Sequence, residues 1–283
     1  MLIQSRRRFL LDNARGAAGG LAAARLKADP LGLPVGFQVF PIRKQIAEDF
    51  PGTLREMAGM GYGTVEMCSP PGYEKSGFGA LMPMKAAEMR RIISDAGLSC
   101  ESCHYGFREL RENLDARITY AGELGLRQMI VASLGLRKEA TMDAWSRAAD
   151  EMNRFGEATR AAGLQLGFHN HHGEFQKIGD VLIYDELLRR FDPGLVKMQF
   201  QVAVINIGYD AADYMTQYPG RFLSLHLADW SESRKESVPV GQGMIDWKKL
   251  FAAARTGGVK NYYVEMNMEA MRASCPFLRR LTV

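Results

Sequence analysis

Four side chains of metal-ligand type in the C-terminal half each close an apolar, strand-like run. They are His169 in Gly-Phe-His-Asn-His, Gln201 in Met-Gln-Phe-Gln, His226 in Ser-Leu-His-Leu and Glu265 in Tyr-Tyr-Val-Glu. Imidazole, carboxylate and amide oxygen are donors with which proteins hold divalent cations, so His169, Gln201, His226 and Glu265 form a candidate metal site. The intervals between them are 32, 25 and 39 residues, each about one strand-plus-helix unit of roughly 30 residues. Parallel strands at that spacing aim all four side chains at one end of a sheet or barrel, where barrel enzymes assemble their chemistry. A lone His at a strand end is commonly a hydrogen-bonded structural residue. Here three His within 169–172, with His226, make up four of the five in the chain, and that clustering argues for ligands.

Other polar residues share the pattern. His104 follows the third strand-like run at the same end, as a substrate hydrogen-bonding group or a strand cap. Glu66 lies inside Thr-Val-Glu-Met, where an inward carboxylate needs a partner: a fixed Arg or Lys, or a part in catalysis. Trp230 offers a face on which a sugar can stack, although core packing is the commoner fate of a Trp. Gln199 shares a strand face with Gln201, while Asn170 and His172 read as groups that orient ligands or face solvent. Cys100 and Cys103 have C-x-x-C spacing but lack the helix start that lowers a thiol pKa. They and Cys68 and Cys275 read as small buried hydrophobes.

The elements that must carry these groups alternate. Strand-like runs fall near Val35–Val39, Thr64–Cys68, Leu98–His104, Gln128–Ser133, Gln165–His169, Val196–Gln201, Phe222–Leu227 and Asn261–Glu265. Helical stretches with apolar residues three and four apart lie between them, including Leu110–Leu124, Asp143–Ala162, Tyr184–Phe191 and Trp247–Ala254. Gly61, Gly97, Gly125 and Gly163 each stand just before a new strand, as helix C-terminal glycines do. Eight such units predict an α/β fold, a single-domain (β/α)8 TIM barrel. No G-x-G-x-x-G follows the first strand, which leaves a dinucleotide domain without support. The Gly- and Pro-rich segment Ser69–Pro83 reads as a loop able to act as a lid, and the tail Met271–Val283 as a closure of the barrel bottom or a subunit contact.

A chain of 283 residues with 47% apolar content suits one barrel domain, here residues 30–283. The formal charge of +4 comes from the N-terminus: residues 1–29 hold six Lys/Arg and two Asp/Glu, leaving 30 basic and 30 acidic residues after them. A neutral body disfavours a nucleic-acid partner. Ser5-Arg6-Arg7-Arg8-Phe9-Leu10 and the small-residue stretch behind it resemble a twin-arginine export signal, which implies a periplasmic location. The other reading is a disordered basic tail on a cytoplasmic protein. No later apolar run is long enough to span a bilayer, so no membrane anchor is expected.

The segments Phe50-Pro-Gly-Thr-Leu54, His104-Tyr-Gly-Phe107, Gly167-Phe-His-Asn-His171, Tyr218-Pro-Gly-Arg-Phe222, Val240-Gly-Gln-Gly243 and Val264-Glu265 resemble the sugar phosphate isomerase/epimerase family of xylose-isomerase-like barrels, from about residue 35 onward. In its epimerases a divalent cation is held by Glu, Asp, His and Glu at the ends of strands five to eight. His226 and Glu265 match the last two positions, whereas His169 and Gln201 replace the first two. The resemblance implies a metal-dependent sugar or keto-sugar isomerase or epimerase that removes a proton beside a carbonyl, with a small carbohydrate as substrate and a possible homo-oligomer. The imidazoles favour Mn, Fe, Co or Zn over Mg. Candidate catalytic groups are Glu265, His169, Glu174 and His104; candidate substrate contacts are Glu66, His104, His171 and Trp230. The missing carboxylate suits a lyase or hydratase acting on a 3-keto-glycoside, and a sugar-binding barrel without activity is the third reading.

Overall fold

Seven of the eight apolar runs are buried along almost their whole length, and the third over its second half, the condition under which strands pair in parallel with helices on their outer side. In the computed structural model, which describes residues 30–137 and 139–283, the runs become β1 (Gly36–Gln38), β2 (Thr64–Cys68), β3 (Ser99–Tyr105), β4 (Gln128–Val131), β5 (Gln165–His169), β6 (Val196–Gln201), β7 (Phe222–Leu227) and β8 (Asn261–Val264). All neighbours are parallel, and β8 returns to β1 through Gly36 opposite Tyr263 and Phe37 opposite Val264, which closes the barrel. The export-signal reading falls on residues outside the described part. Among the described residues no helix is long and apolar enough to cross a membrane.

The outer ring consists of α1 (Arg43–Glu48), α2 (Phe50–Gly59), α3 (Ala86–Asp95), α4 (Phe107–Leu124), α5 (Met142–Ala161), α6 (Ile183–Arg190), α7 (Ala211–Gln217), α8 (Trp247–Gly257) and α9 (Met268–Leu278). Helix α5 shows why these segments are helical. Thr141 caps it by accepting a hydrogen bond from Ala144 N, and Trp145, Ala148, Ala149, Met152, Phe155 and Thr159 line one buried face at three- and four-residue intervals. Gly61, Gly97, Gly125 and Gly163 all adopt positive φ at helix exits, as the sequence pattern predicts.

Two segments read only loosely from the sequence take definite form. The tail forms α9 and packs into the helical ring beside α2, through Tyr62 Oη to Met271 O at 2.8 Å and Arg272 to Glu56 at 2.7 Å. The segment Ser69–Pro83 is pinned by buried Phe78 and Leu81, whose apolar side chains anchor it against the barrel. None of the four cysteines is in a disulfide, and burial pushes the thiols of Cys68, Cys100 and Cys103 upward, Cys100 to about 12, which suits small hydrophobes.

Candidate active site

Side chains alternate across a strand, so every second residue of a barrel strand points inward and the last inward residue stands at the C-terminal mouth. That rule delivers Glu66 from β2, His104 from β3, His169 from β5, Gln199 and Gln201 from β6, and His226 from β7, with Glu265 just beyond β8. Register aligns them across neighbours: His169 lies opposite Gln199, and Gln201 opposite His226. Below His169, Gly167 leaves room for the barrel filling, since a Cβ there would come within 2.5 Å of Ile130 Cδ1.

Glu66 is the hub. Its Oε1 accepts from Ser102 Oγ at 2.6 Å and Gln199 Nε2 at 2.8 Å; its Oε2 faces His226 Nε2 at 2.5 Å and His104 Nε2 at 3.1 Å. The partners are imidazoles and not the Arg or Lys that an inward carboxylate suggests. Burial alone would push this carboxyl up, but His104 and His226 outweigh it and hold Glu66 well below the usual range. His104 Nε2 also lies 2.8 Å from Gln199 Oε1. Both its neighbours are acceptors, so this nitrogen carries the proton.

His226 sits between two carboxylates, with Glu265 Oε2 3.0 Å from its Nδ1. Burial pushes its pKa down, but Glu265 and Glu66 prevail and lift it to about 10, so without a metal the ring is an imidazolium. His169 is the opposite case. It is fully buried, neither ring nitrogen makes a well-formed hydrogen bond, the Gln199 backbone alone favouring the charged ring, and burial together with the His226, His171 and His104 rings drives its pKa well down. A neutral imidazole with two unsatisfied buried nitrogens is costly unless it has a ligand. Candidate ligand atoms of His104, His169 and His226 lie within 4.8 Å of one another, a spacing that suits a divalent cation of the kind imidazole prefers, whose binding would displace protons from His104 and His226.

The sequence quartet thus converges, with a change of emphasis. Gln201 donates from Nε2 to Glu265 Oε2 at 2.5 Å, and its Oε1 accepts from Ala203 N at 3.3 Å, so its amide is committed to steering Glu265 and capping the following turn. His104 supplies the third imidazole. Glu265, with its side chain 17% exposed, faces a cavity of about 640 Å³ walled by Ser237, Gln242, Asn267 and Glu269. His171 stands at the rim with its ring 4.8 Å from that of His169. Glu174 turns away to accept from His171 N at 2.7 Å, and burial raises its pKa. Trp230 is half-buried on a hairpin, Asp229–Ser231 paired with Glu236–Val238, and its indole N–H points to Glu232.

That hairpin and the next loop hang on Asp229. Its buried carboxylate accepts from Trp230 N, Gly241 N, Gly243 N, Ile245 N and Trp247 Nε1, at 2.8–3.2 Å. Gly243 is required by this close approach, because a Cβ would lie 2.2 Å from Asp229 Oδ1. Gln199 Nε2 also donates to Ser224 Oγ at 2.8 Å; sequence reasoning gave no role to Asp229, Ser102 or Ser224, and noted Gln199 without placing it in the network. Strand alternation on β3, β6 and β7 was the signal that could have found Ser102, Gln199 and Ser224.

A model of the xylose isomerase-like TIM barrel matches residues 54–281. An inosose dehydratase of Lacticaseibacillus casei is 26% identical over 158 residues, 48% of this chain and 51% of that protein, so the chain spans about half the length of this relative. An inosose dehydratase of Geobacillus thermodenitrificans is 22% identical over 221 residues, 64% and 73% of the two chains. Among solved structures, a sugar phosphate isomerase/epimerase from Parabacteroides distasonis is similar with a TM-score of 0.72 and 25% identity, over 87% of this chain and 93% of that one. The closed barrel, its residues gathered at the C-terminal mouth and the extent of the match together establish that this chain belongs to the xylose isomerase-like TIM barrel family.

Proposed function

We infer that this barrel enolises a small keto-sugar or related sugar at the carbon beside its carbonyl, with Glu265 taking the proton and the product an isomer. The observation that carries the reading is the one-sided placement of carboxylates. Glu66 is enclosed by four polar partners, whereas Glu265 borders the open cavity and Gln201 directs one of its oxygens. His104, His169 and His226 would hold a divalent cation beside Glu265, with Mn, Fe, Co or Zn favoured over Mg. When bound, that cation supplies the charge that polarises the carbonyl and stabilises an enediolate. His171 and Trp230 border the mouth as substrate contacts.

One base is enough to move a proton along a single face of an enediol. Epimerisation needs a second acid/base on the other face, and Glu174 is occupied by the His171 backbone. A second reading, removal of the proton beside the carbonyl with loss of the hydroxyl on the next carbon as water, also needs only one carboxyl if Glu265 hands the proton it takes to that departing hydroxyl, and the similarity to inosose dehydratases favours it. The test is solvent exchange in D₂O with keto-sugars, alongside metal analysis. The wild-type chain is expected to exchange the proton beside the carbonyl, and Glu265→Gln to lose about 100-fold or more of that rate. Product analysis then separates isomer from dehydrated sugar. Exchange at an undiminished rate in Glu265→Gln would remove Glu265 as the base.

A further inference from the structure

A second cavity, of about 770 Å³, opens at the opposite mouth of the barrel. It is bounded by Gln128 and Gln165, the first residues of β4 and β5, by Lys197 near the start of β6, and by Arg127, Lys260 and Glu101. Since His169 ends the strand that Gln165 begins, this floor lies roughly 13 Å below the His cluster, four residues at about 3.3 Å each. Substrate chemistry at the upper mouth has no use for it.

The charge there is uneven in a body whose totals balance. Three cations face one carboxylate, and the Arg127–Glu101 pair is loose and exposed at 3.5 Å. Lys197 is half-buried and donates to Gly220 O at 2.7 Å, with no carboxylate among its partners. Arg221 beside it gives one N–H to Phe191 O, keeps Nε buried without a partner, and has Asp192 as its nearest acidic influence. Burial, and then the Arg221 guanidinium, push the Lys197 ammonium down. Helix C-termini ring this end of a barrel and account for exposed cations such as Arg127 and Lys260. They do not account for Lys197, which rises from the inward face of β6, the face that carries Gln199 and Gln201 higher up. Gln128 adds a second kind of demand: it is 3% exposed, borders the cavity, and its Oε1 accepts no hydrogen bond.

We propose that this floor cavity is a binding site for a small hydroxylated polyanion, with Lys197, Lys260 and Arg127 holding two or more carboxylate or phosphate groups and Gln128 Oε1 accepting from a hydroxyl. The site is separate from the reactive centre and does not depend on which reaction occurs there. Ligand bound at this end joins β4, β6 and the approach to β8, so it stabilises the closed barrel through mass action.

Malate and succinate, which differ by one hydroxyl, and 3-phosphoglycerate, which carries phosphate, carboxylate and hydroxyl, are the probes. Binding is measured by calorimetry and thermal melting at low ionic strength against NaCl of matched ionic strength. Malate or 3-phosphoglycerate is expected to raise the melting temperature beyond the salt control, and whichever does so identifies the anion. Lys197→Gln and the exposed Lys260→Gln should each weaken binding about tenfold, the loss of one charge-assisted contact. Malate should bind about threefold tighter than succinate, the worth of one net hydrogen bond, with the difference erased in Gln128→Leu. Failure of all three probes to exceed the salt control, or undiminished affinity in Lys260→Gln and Lys197→Gln, would overturn the proposal.

Discussion

His169 is held at a thermodynamic disadvantage. Two buried ring nitrogens without a well-formed hydrogen bond cost about 1–3 kcal/mol relative to an apolar side chain of similar size. Metal-free His169→Leu should therefore unfold at higher urea concentration than the metal-free wild type, and when a divalent cation is supplied the variant should bind it more weakly than the wild type. A lower midpoint would mean that the ring is satisfied in the folded chain. The residue scale is also where sequence and structure part company most. His169, His226 and Glu265 were legible because each ends an apolar run. The bond from Glu66 to His226 was not, since 160 residues separate them and only the curvature of the barrel sets β2 across from β7. The commitment of the Gln201 amide to Glu265 was hidden for the same reason: composition reveals a donor type, but not which neighbour claims it.

At the scale of elements, the runs Thr64–Cys68, Gln165–His169, Val196–Gln201 and Phe222–Leu227 coincide with the strands observed. Their length and burial on both faces leave the backbone little alternative. The long connections were less legible. Sequence reasoning assigned no element to residues 228–246, which form a hairpin and a turn organised around one buried carboxylate. Removing that acceptor in Asp229→Ala strands several donors at once and should lower stability by about 3 kcal/mol. Gly243→Ala should shift the urea midpoint in the same direction through steric contact with Asp229. If both variants match the wild type, the loop is held by something other than this carboxylate.

The whole molecule registers the site in its response to pH. In the metal-free protein the folded pKa of His226 is raised to about 10, against about 6.5 in an unfolded chain. Its contribution is thus complete below about pH 6.5 and is lost as pH rises through about 10. Glu66, shifted down, contributes above the unfolded carboxylate value of about 4.5 and loses that contribution as pH falls through its folded value. Melts of metal-free protein between pH 6.5 and 10 should show declining stability, with a shallower decline in Glu66→Gln. An equal slope in the two proteins would separate His226 from Glu66 energetically.

The contact between Glu66 and His226 also imposes an order on synthesis. Glu66 is made early and His226 late, and the two are held in place by a ring that is complete only when β8 has joined β1. Contacts between such distant residues form slowly, because the intervening chain must first be ordered. A nascent chain still lacking β8 on the ribosome has neither Glu265 nor the strand that locks the circle. With Glu265 as the proposed base, reactivity arrives last, and a first turnover would certify that the ring has closed.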